Sequence, residues 1–420
     1  MRILHLNTND AKGGAARAAH RLHTGLRRLG QDSTMLVLRR SSDDPHVRQA
    51  TPSPGPLAWM RRMLRERRIA RDFERYRATR QADLVVFSDD RSPLAGEIAR
   101  ELPPCDVVHL HWVRKFIDLS AFLATNRAPM VWTLHDMNPF TGGCHYDEQC
   151  GRFRERCGRC PQLGSNDDAD LSRQIWQRKQ SALERIDPRR LRIAALCRWM
   201  AKAVESSSLL GRFAVSIIPN GLDTEVFAPR ERSEARAQLG LPAQGRLLLF
   251  VAESLRNKWK GFAHLLEALR GLKPTDNIAL ASIGRGRPET PSGLPHFHLG
   301  EIHDDRLLAA AYSAADLFVI PSVQENLPNT VMESLACGTP VAGFDVGGIP
   351  DMVRPGLTGA LAPMGDAAAL QKVITNLLSD STALAKMSAH CREVAVKEYA
   401  LEVQTRRYTA LYEELLAANS

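Results

Sequence analysis

The pattern that most constrains this chain is an alternation of short apolar strands and helical stretches that runs through its first half and then starts again. Residues 1–7 read as a buried strand, the loop Asn9-Asp10-Ala11-Lys12-Gly13-Gly14 follows, and an Ala/Arg-rich helix covers roughly 15–29. Strand, glycine loop and helix in that order open a doubly wound unit. Residues 34–39, 106–111 and 130–134 are further apolar strands. The pattern restarts with a strand at 246–252, a basic loop and a helix at about 262–271. Strands at 278–283, 317–320 and 340–344 then alternate with helices at 304–314, 328–336 and 366–379. Such alternation implies parallel sheets, because a parallel pair needs a crossover about as long as a helix. The expected class is α/β, with two Rossmann-like doubly wound halves joined between about 205 and 240. The stretch 383–418 reads as one long helical pattern with few breakers.

A chain of 420 residues has room for two or three domains, at roughly 100–200 residues each. Its 44% hydrophobic and 25% charged content excludes a disordered, collagenous or multi-span membrane protein. No run approaches the ~18 apolar residues of a membrane span. The apolar run at the N-terminus is too short for the core of a signal peptide. A cytoplasmic protein is expected. Lys and Arg total 56 against 47 acidic residues, a net charge of +9, which suits anionic partners without choosing among nucleotides, phospholipid headgroups and nucleic acid. Nine arginines crowd residues 61–80, interspersed with Met63, Leu64, Ile69 and Phe73 and preceded by Trp59 and Met60. Residues 57–80 thus read either as a basic amphipathic helix on an anionic membrane surface, at the inner face of the plasma membrane, or as a solvated helix with an ordinary apolar stripe.

The most informative run is 321–341, from Pro321-Ser322-Val323-Gln324-Glu325-Asn326-Leu327-Pro328-Asn329 through Glu333 to Gly338-Thr339-Pro340-Val341. Glu325 falls in the loop after a buried strand, at the carboxyl end where open α/β sheets bind ligands. Pro328 suits the first turn of the next helix and Gly338 its end. Glu333 lies inside that helix, so both carboxylates can face one ligand. The helix start between them offers free N–H groups suited to phosphate, and carboxylates accept hydrogen bonds from sugar and ribose hydroxyls. Two Glu at some spacing are ordinary surface residues on their own; the whole string, followed by Gly347-Gly348-Ile349-Pro350, is specific.

Over essentially its whole length the chain resembles the retaining glycosyltransferases of the GT-B fold, in the large family-4 (group 1) class. The family's Glu-x7-Glu element matches Glu325 and Glu333. The resemblance implies that Glu325 binds donor-sugar hydroxyls, Glu333 the nucleotide ribose, and the backbone around Asn326, Leu327 and Asn329 the distal phosphate. Pro328 stands where many relatives have glycine, and it has no N–H to donate. Ile218-Pro219-Asn220-Gly221 through Phe227 resembles the entry motif of the second domain. Lys260-Gly261 matches the family's Lys-Gly, whose lysine meets the donor diphosphate and would neutralise it as the glycosidic bond breaks. The family's nearby arginine is displaced, and Arg256 or Lys258 stands in its place. Gly13-Gly14 resembles the first-domain glycine loop facing the donor, where small residues allow close backbone approach. Trp132-Thr133-Leu134-His135-Asp136 resembles the first-domain His motif, with His135 near the reacting centre. His109 and His111 end a neighbouring strand and are acceptor-side candidates. The catalytic set expected is therefore His135, Lys260 and Glu325.

Cys144, Cys150, Cys157 and Cys160 form a Cys-x5-Cys-x6-Cys-x2-Cys cluster. Four thiolates ending in Cys-x-x-Cys suit a structural tetrahedral zinc and leave no open catalytic position. Two disulfides are the rival reading, disfavoured in a reducing cytosol. The segment resembles a Cys-rich insertion in a subgroup of these transferases acting in exopolysaccharide synthesis.

The resemblance therefore implies an acceptor-binding domain over 1–205, carrying the Cys-rich insertion at about 141–165, and a nucleotide-sugar domain over 206–395. Residues 396–420 are expected to return to the first domain, and the two domains to face a central cleft. The expected reaction moves a sugar from a nucleoside-diphosphate sugar to a hydroxyl of a glycan or lipid-linked saccharide, with retention and without a catalytic metal. A nucleotide-sugar epimerase, a phosphorolytic enzyme and a non-catalytic nucleotide-sugar-binding scaffold are the alternatives. No recognisable nucleic-acid module is present.

Overall fold

In a computed structural model of the chain, described here for residues 1–81, 86–270, 272, 277–286 and 294–419, the backbone divides into two compact units. Unit 1 is built on a seven-stranded sheet: β1 (Arg2–Asn9), β2 (Asp32–Arg39), β3 (Val47–Gln49), β4 (Val107–Leu110), β5 (Met130–Leu134), β6 (Leu191–Ala195) and β7 (Ala214–Ile217). The order is β3-β2-β1-β4-β5-β6-β7, and every pairing is parallel. Unit 2 holds β8 (Arg246–Ser254), β9 (Ile278–Arg285), β10 (His296–His298), β11 (Leu317–Ile320), β12 (Val341–Phe344) and β13 (Gly359–Ala362). Its order, β10-β9-β8-β11-β12-β13, is also parallel throughout. Each unit is therefore doubly wound, as the alternating sequence pattern predicts.

In both sheets the strand order reverses at one place, between β1 and β4 in unit 1 and between β8 and β11 in unit 2. Ligands of doubly wound sheets bind beyond the carboxyl ends of the strands at this reversal. The central strands are apolar on both faces, as strands covered by helices must be: β4, β5, β11 and β12 are buried along their whole length.

Three boundaries differ from the sequence reading. The first unit runs to Ile218 rather than 205, because β7 pairs with β6 and carries the chain further in the first sheet. The long terminal helical pattern is broken at Ala400 into the helices Ser381–Tyr399 and Leu401–Ala417. There Leu222 donates its N–H to the Tyr399 carbonyl (3.0 Å) and accepts from the Leu401 N–H (2.9 Å), so tertiary pairing replaces the helical bonds. Unit 2 therefore keeps the chain through Gln404, not 395. From Thr405 on the chain belongs to unit 1, where Tyr408, Leu411, Tyr412 and Leu415 pack with Ile3, Leu22, Val107 and Val131.

Candidate active site

In unit 2 the loops after β8 and β11 leave the sheet at the strand-order reversal. After β8 the chain makes a single turn, Lys258–Lys260, capped by the Asn257 side chain, and enters the helix Phe262–Leu269 through Gly261. Gly261 has φ +69°, and a Cβ there would sit 1.7 Å from the Pro321 carbonyl oxygen. Glycine is thus required for the Lys260 turn to lie against the loop after β11. The Val323 N–H, which donates to the Trp259 carbonyl at 2.9 Å, ties the two loops together. The result is an ion pair: Lys260 Nζ donates to Glu325 Oε1 at 2.5 Å, and Ser322 Oγ donates to the same oxygen at 3.0 Å. Glu325 is buried while Lys260 keeps about a third of its side chain exposed, at 33%. Gly347 closes the loop from the other side. Its φ is +56°, and a Cβ would meet the Glu325 carbonyl oxygen at 1.8 Å. The neighbouring Gly348 N–H donates to the Asn326 carbonyl at 2.9 Å.

The helix that follows spans Asn329–Ala336 with Pro328 at its cap and no side chain capping its first N–H groups. Asn326 and Leu327 are buried beside it, and Asn329 accepts from the Asn220 amide at 3.1 Å. Glu333 lies on this helix but is only 1% exposed, and the Tyr312 hydroxyl donates to it at 3.3 Å. Glu325, Lys260, Asn326, Leu327 and Asn329 are therefore gathered at one end of the sheet, with Glu333 set beneath the surface. Arg256 is exposed beside Gly286, and Lys258 is exposed on the Lys260 turn.

In unit 1, Gly13 and Gly14 lie exposed between β1 and the helix Gly14–Arg28, with Gly13 at φ +94°. His135 follows β5 and is half-buried. Burial depresses its pKa to about 4, against the opposing pull of the Asp136 carboxylate. Burial works against the charge of Asp136, yet His145 beside it and the hydrogen bonds it accepts hold it below the usual carboxylate range. Those bonds come from His145 Nδ1 (2.6 Å), Trp112 Nε1 (2.8 Å) and the Asn138 N–H (2.9 Å).

His109 and His111 do not reach an acceptor-facing surface. His109 is fully buried, with Nδ1 on the Tyr412 hydroxyl (2.6 Å) and Nε2 on Thr133 Oγ1 (2.7 Å). His111, 3% exposed, has Nδ1 on His135 Nε2 (3.2 Å) and Nε2 on Nδ1 of the fully buried His5 (3.0 Å). Sequence reasoning missed His5. Its signal was a polar residue inside an apolar strand, in register with His109.

The four cysteines line one cavity of about 20 Å³ together with Phe87 and Phe153. None is disulfide-bonded; Cys157 and Cys160 are buried, and the Gly142 N–H donates to Cys157 Sγ at 3.1 Å. Burial pushes the Cys157 thiol up to about 11. The buried Lys179 ammonium, which donates to the Thr141 carbonyl at 3.0 Å, lies close enough to Cys144 and Cys157 to interact with them. Among the described residues, the group of three or more metal-ligating side chains with ligand atoms all within 4.8 Å is His5, His109 and His111. The nitrogens of His109 are already committed to Tyr412 and Thr133, and those of His111 to His135 and His5. The cysteine sulfurs stand more widely, around their cavity.

The chain is 32% identical over 219 residues to a D-inositol 3-phosphate glycosyltransferase of Thermobispora bispora, covering 48% of this chain and 51% of that one. It is 31% identical over 231 residues to the phosphatidyl-myo-inositol mannosyltransferase of Mycobacterium leprae, covering 53% and 58%. These matches span about half the length of the curated relatives. Among solved structures, sucrose-phosphate synthase from Thermosynechococcus elongatus superposes with a TM-score of 0.67 at 20% identity, over 100% of both chains. Anabaena HepE in complex with UDP-glucose gives 0.68 at 15% identity, over 98% of this chain and 99% of that one. At such identities these likenesses speak to fold, and the fold is GT-B. Residues 245–380 match the family described as Glycosyl transferases group 1. Residues 12–226, more than half of the chain, match the family described as Glycosyltransferase Family 4, and the chain belongs to that family.

Proposed function

We propose that this protein is a retaining glycosyltransferase that takes a nucleoside-diphosphate sugar as donor and a glycan or lipid-linked saccharide as acceptor, in polysaccharide synthesis. The observation that carries the reading is the Lys260–Glu325 pair, held by two obligatory glycines over the open start of the helix Asn329–Ala336. A cation and a helix start with no side-chain cap together suit a diphosphate. A buried carboxylate beside them suits sugar hydroxyls. HepE has been crystallised with UDP and with UDP-glucose, and the D-inositol 3-phosphate and mannosyl relatives bear transferase names.

In this reading the bond between the anomeric carbon and the diphosphate oxygen breaks through an oxocarbenium-like state. The acceptor hydroxyl oxygen bonds to that carbon on the same face, and its proton passes to the departing phosphate oxygen. Lys260 and the helix N–H groups stabilise the negative charge that develops there. Glu325 orients the sugar, Glu333 supports the ribose from below, and His135 is the substrate-facing polar group of unit 1. Gly13 and Gly14 allow close backbone approach, and Arg256 adds positive charge at the rim. No step calls on a metal. Titration calorimetry against UDP-, GDP-, ADP- and TDP-sugars tests the reading. One nucleotide should bind selectively, and Lys260→Ala should weaken it at least tenfold. Binding of none of them would contradict it.

The helix Pro56–Glu74 supports a membrane role for the acceptor side. It has no buried residue, and Leu57, Trp59, Met60 and Leu64 are exposed beside Arg61, Arg67, Arg68 and Arg71. Arg62 and Arg65 are instead tied to Glu97 (2.9 Å) and Asp118 (2.5 Å), so they serve the fold. Among the described residues no helix is long and apolar enough to cross a membrane. Replacing Arg61, Arg67 and Arg68 with serine should therefore release the protein from anionic liposomes; unchanged binding would remove this role.

The cysteine loop supports a structural zinc. From Asn138 to Leu163 its only helical pieces are single turns; four thiols and an N–H group donating to sulfur surround one small space, and the buried Lys179 ammonium interacts with two of the thiols. Cys144, Cys150, Cys157 and Cys160 would hold the ion after drawing in to sulfur distances of about 2.3 Å. Elemental analysis of the purified protein should find one zinc, lost in Cys157→Ser/Cys160→Ser. Two disulfides by non-reducing mass analysis would replace this reading.

A further inference from the structure

We propose that a dead-ended line of buried histidines, His5 and His111, fixes the proton of His135 on Nδ1, so that His135 meets its ligand as a hydrogen-bond donor and not as a base. This rests on the reading of His135 as a substrate-facing group. It adds which ring nitrogen carries the hydrogen and what sets it there.

Three imidazoles from three segments are joined in series. His135 Nε2 lies 3.2 Å from His111 Nδ1, and His111 Nε2 lies 3.0 Å from His5 Nδ1. His5 and His111 are inside unit 1, at 0% and 3% exposure. Among the described residues, the far nitrogen of the line, His5 Nε2, is buried with no hydrogen-bond partner. His109 stacks on His111 at 4.1 Å between ring centres but stands outside the line, its own nitrogens being taken by Tyr412 and Thr133.

Burial holds all three rings of the line neutral near pH 7, and the neighbouring rings of His109, His5 and His135 further discourage charge on His111. A neutral imidazole has one N–H and one bare nitrogen. In each of the two contacts one ring must donate and the other accept, so the line has two coherent states. In the first, His135 donates from Nε2 to His111 and His111 donates from Nε2 to His5. His5 is then left with an N–H on Nε2 buried without an acceptor. In the second, His5 donates from Nδ1 to His111, and His111 donates from Nδ1 to His135 Nε2. His5 then keeps only a bare lone pair on Nε2. Orphaned buried N–H groups are rarer and costlier than under-used acceptors, so the second state is favoured. In that state the hydrogen of His135 can only be on Nδ1.

The Asp136 carboxylate does not compete, because Trp112, Asn138 and His145 already supply its hydrogen bonds. A His135 with Nδ1–H suits a hydroxyl or phosphoryl oxygen of the donor. It cannot take the acceptor's proton through Nδ1, which leaves that proton to the departing phosphate oxygen. His111 and His5 are positioning residues in this scheme.

The test is a long-range proton–nitrogen correlation spectrum of the full-length chain labelled with ¹⁵N-histidine, at neutral pH and without substrate. His135 is identified by the signals absent from His135→Gln. The expected pattern is a protonated Nδ1 and a bare Nε2, opposite to the tautomer that free neutral histidine prefers in water. His111→Leu should return His135 to that solution preference. His5→Asp, which puts an acceptor oxygen where His5 offers Nδ1–H, should reverse the line and move the proton to Nε2. A wild-type His135 protonated on Nε2, or one unmoved by His111→Leu, would overturn the proposal. The wild-type spectrum decides even if a core variant fails to fold. It also needs no substrate, so failure of the functional reading stays distinguishable. With the donor in hand, His135→Asn, whose amide N–H falls near the Nδ1 position, should turn over about threefold to tenfold faster than His135→Gln, the worth of one neutral hydrogen bond. Equal rates would also count against it.

Discussion

The two sheets share a topology and differ in what stands at their carboxyl ends. Unit 1 brings neutral rings and hydroxyls to that region: His5, His109, His111 and His135, with Thr133, Tyr408 and Tyr412 packed among them. Unit 2 brings an ion pair, Lys260 with Glu325, and clamps it with backbone so close that Gly261 and Gly347 admit no side chain. The difference teaches that the doubly wound fold supplies only the place. A region of buried neutral rings makes directional hydrogen bonds but is vulnerable to protonation. A cation one-third exposed, paired in the loop that leads to an uncapped helix start, suits an anion.

The sharpest way to break this contrast is to remove the cation. Lys260→Ala should lower turnover by about 10²–10³-fold, the usual loss when a group that stabilises developing charge is deleted, in steady-state release of nucleoside diphosphate. An equal effect from His135→Ala would erase the distinction between the two regions. Next comes the clamp. Gly261→Ala forces a Cβ onto the Pro321 carbonyl at 1.7 Å and should cost about 3 kcal/mol by chemical denaturation. Gly13→Ala meets nothing within 4 Å among the described residues, but φ +94° and ψ +159° are open essentially to glycine alone, so it should cost about 2 kcal/mol through the backbone.

Acid should separate the units. Burial lowers the pKa of His5, His23, His109, His111 and His135 from 6.5, to about 4 for His23 and His135. The unfolded chain therefore takes up protons first as pH falls. The stability is fully present above about pH 6.5 and is lost progressively toward pH 4. Hydrogen exchange at pH 7.5 and pH 5 (about 2.5 units apart, the first above that window and the second inside it) should show β1, β4 and β5 losing protection before β8, β11 and β12. The smallest effect concerns Glu333. Tyr312→Phe removes one hydroxyl donor to it and should cost about 1 kcal/mol, with donor affinity changed less than by Lys260→Ala.

Much of this was legible in the sequence, for physical reasons. β5 and β11 were read at their observed limits because a strand covered on both faces is a continuous apolar run. β6 escaped because Arg192 interrupts its run, and β3 and β7 because edge strands of three and four residues carry polar side chains. The break at Ala400 had no signal, since alanine favours helix and the break is made by Leu222, far away in sequence. Spacing exposed Glu325 and Glu333 as groups able to meet a ligand, and the family resemblance added Lys260. It did not show that Lys260 and Glu325 hold each other, or that Glu333 lies under the surface against Tyr312. The histidine line was hidden for the same reason as the break: His5 stands 106 residues from His111, and His111 24 from His135, and the three meet only through sheet register.

The central claim is that unit 2's ion pair serves glycosyl transfer and not mere binding. The direct measurement is to incubate the protein with the nucleotide sugar that calorimetry selects and follow the anomeric proton by NMR, with and without saccharide lipids. The account predicts release of the nucleoside diphosphate, a first-formed product with the donor's anomeric configuration, and loss of both in Lys260→Ala. A donor that stays bound and intact, or a product of inverted configuration, would contradict it.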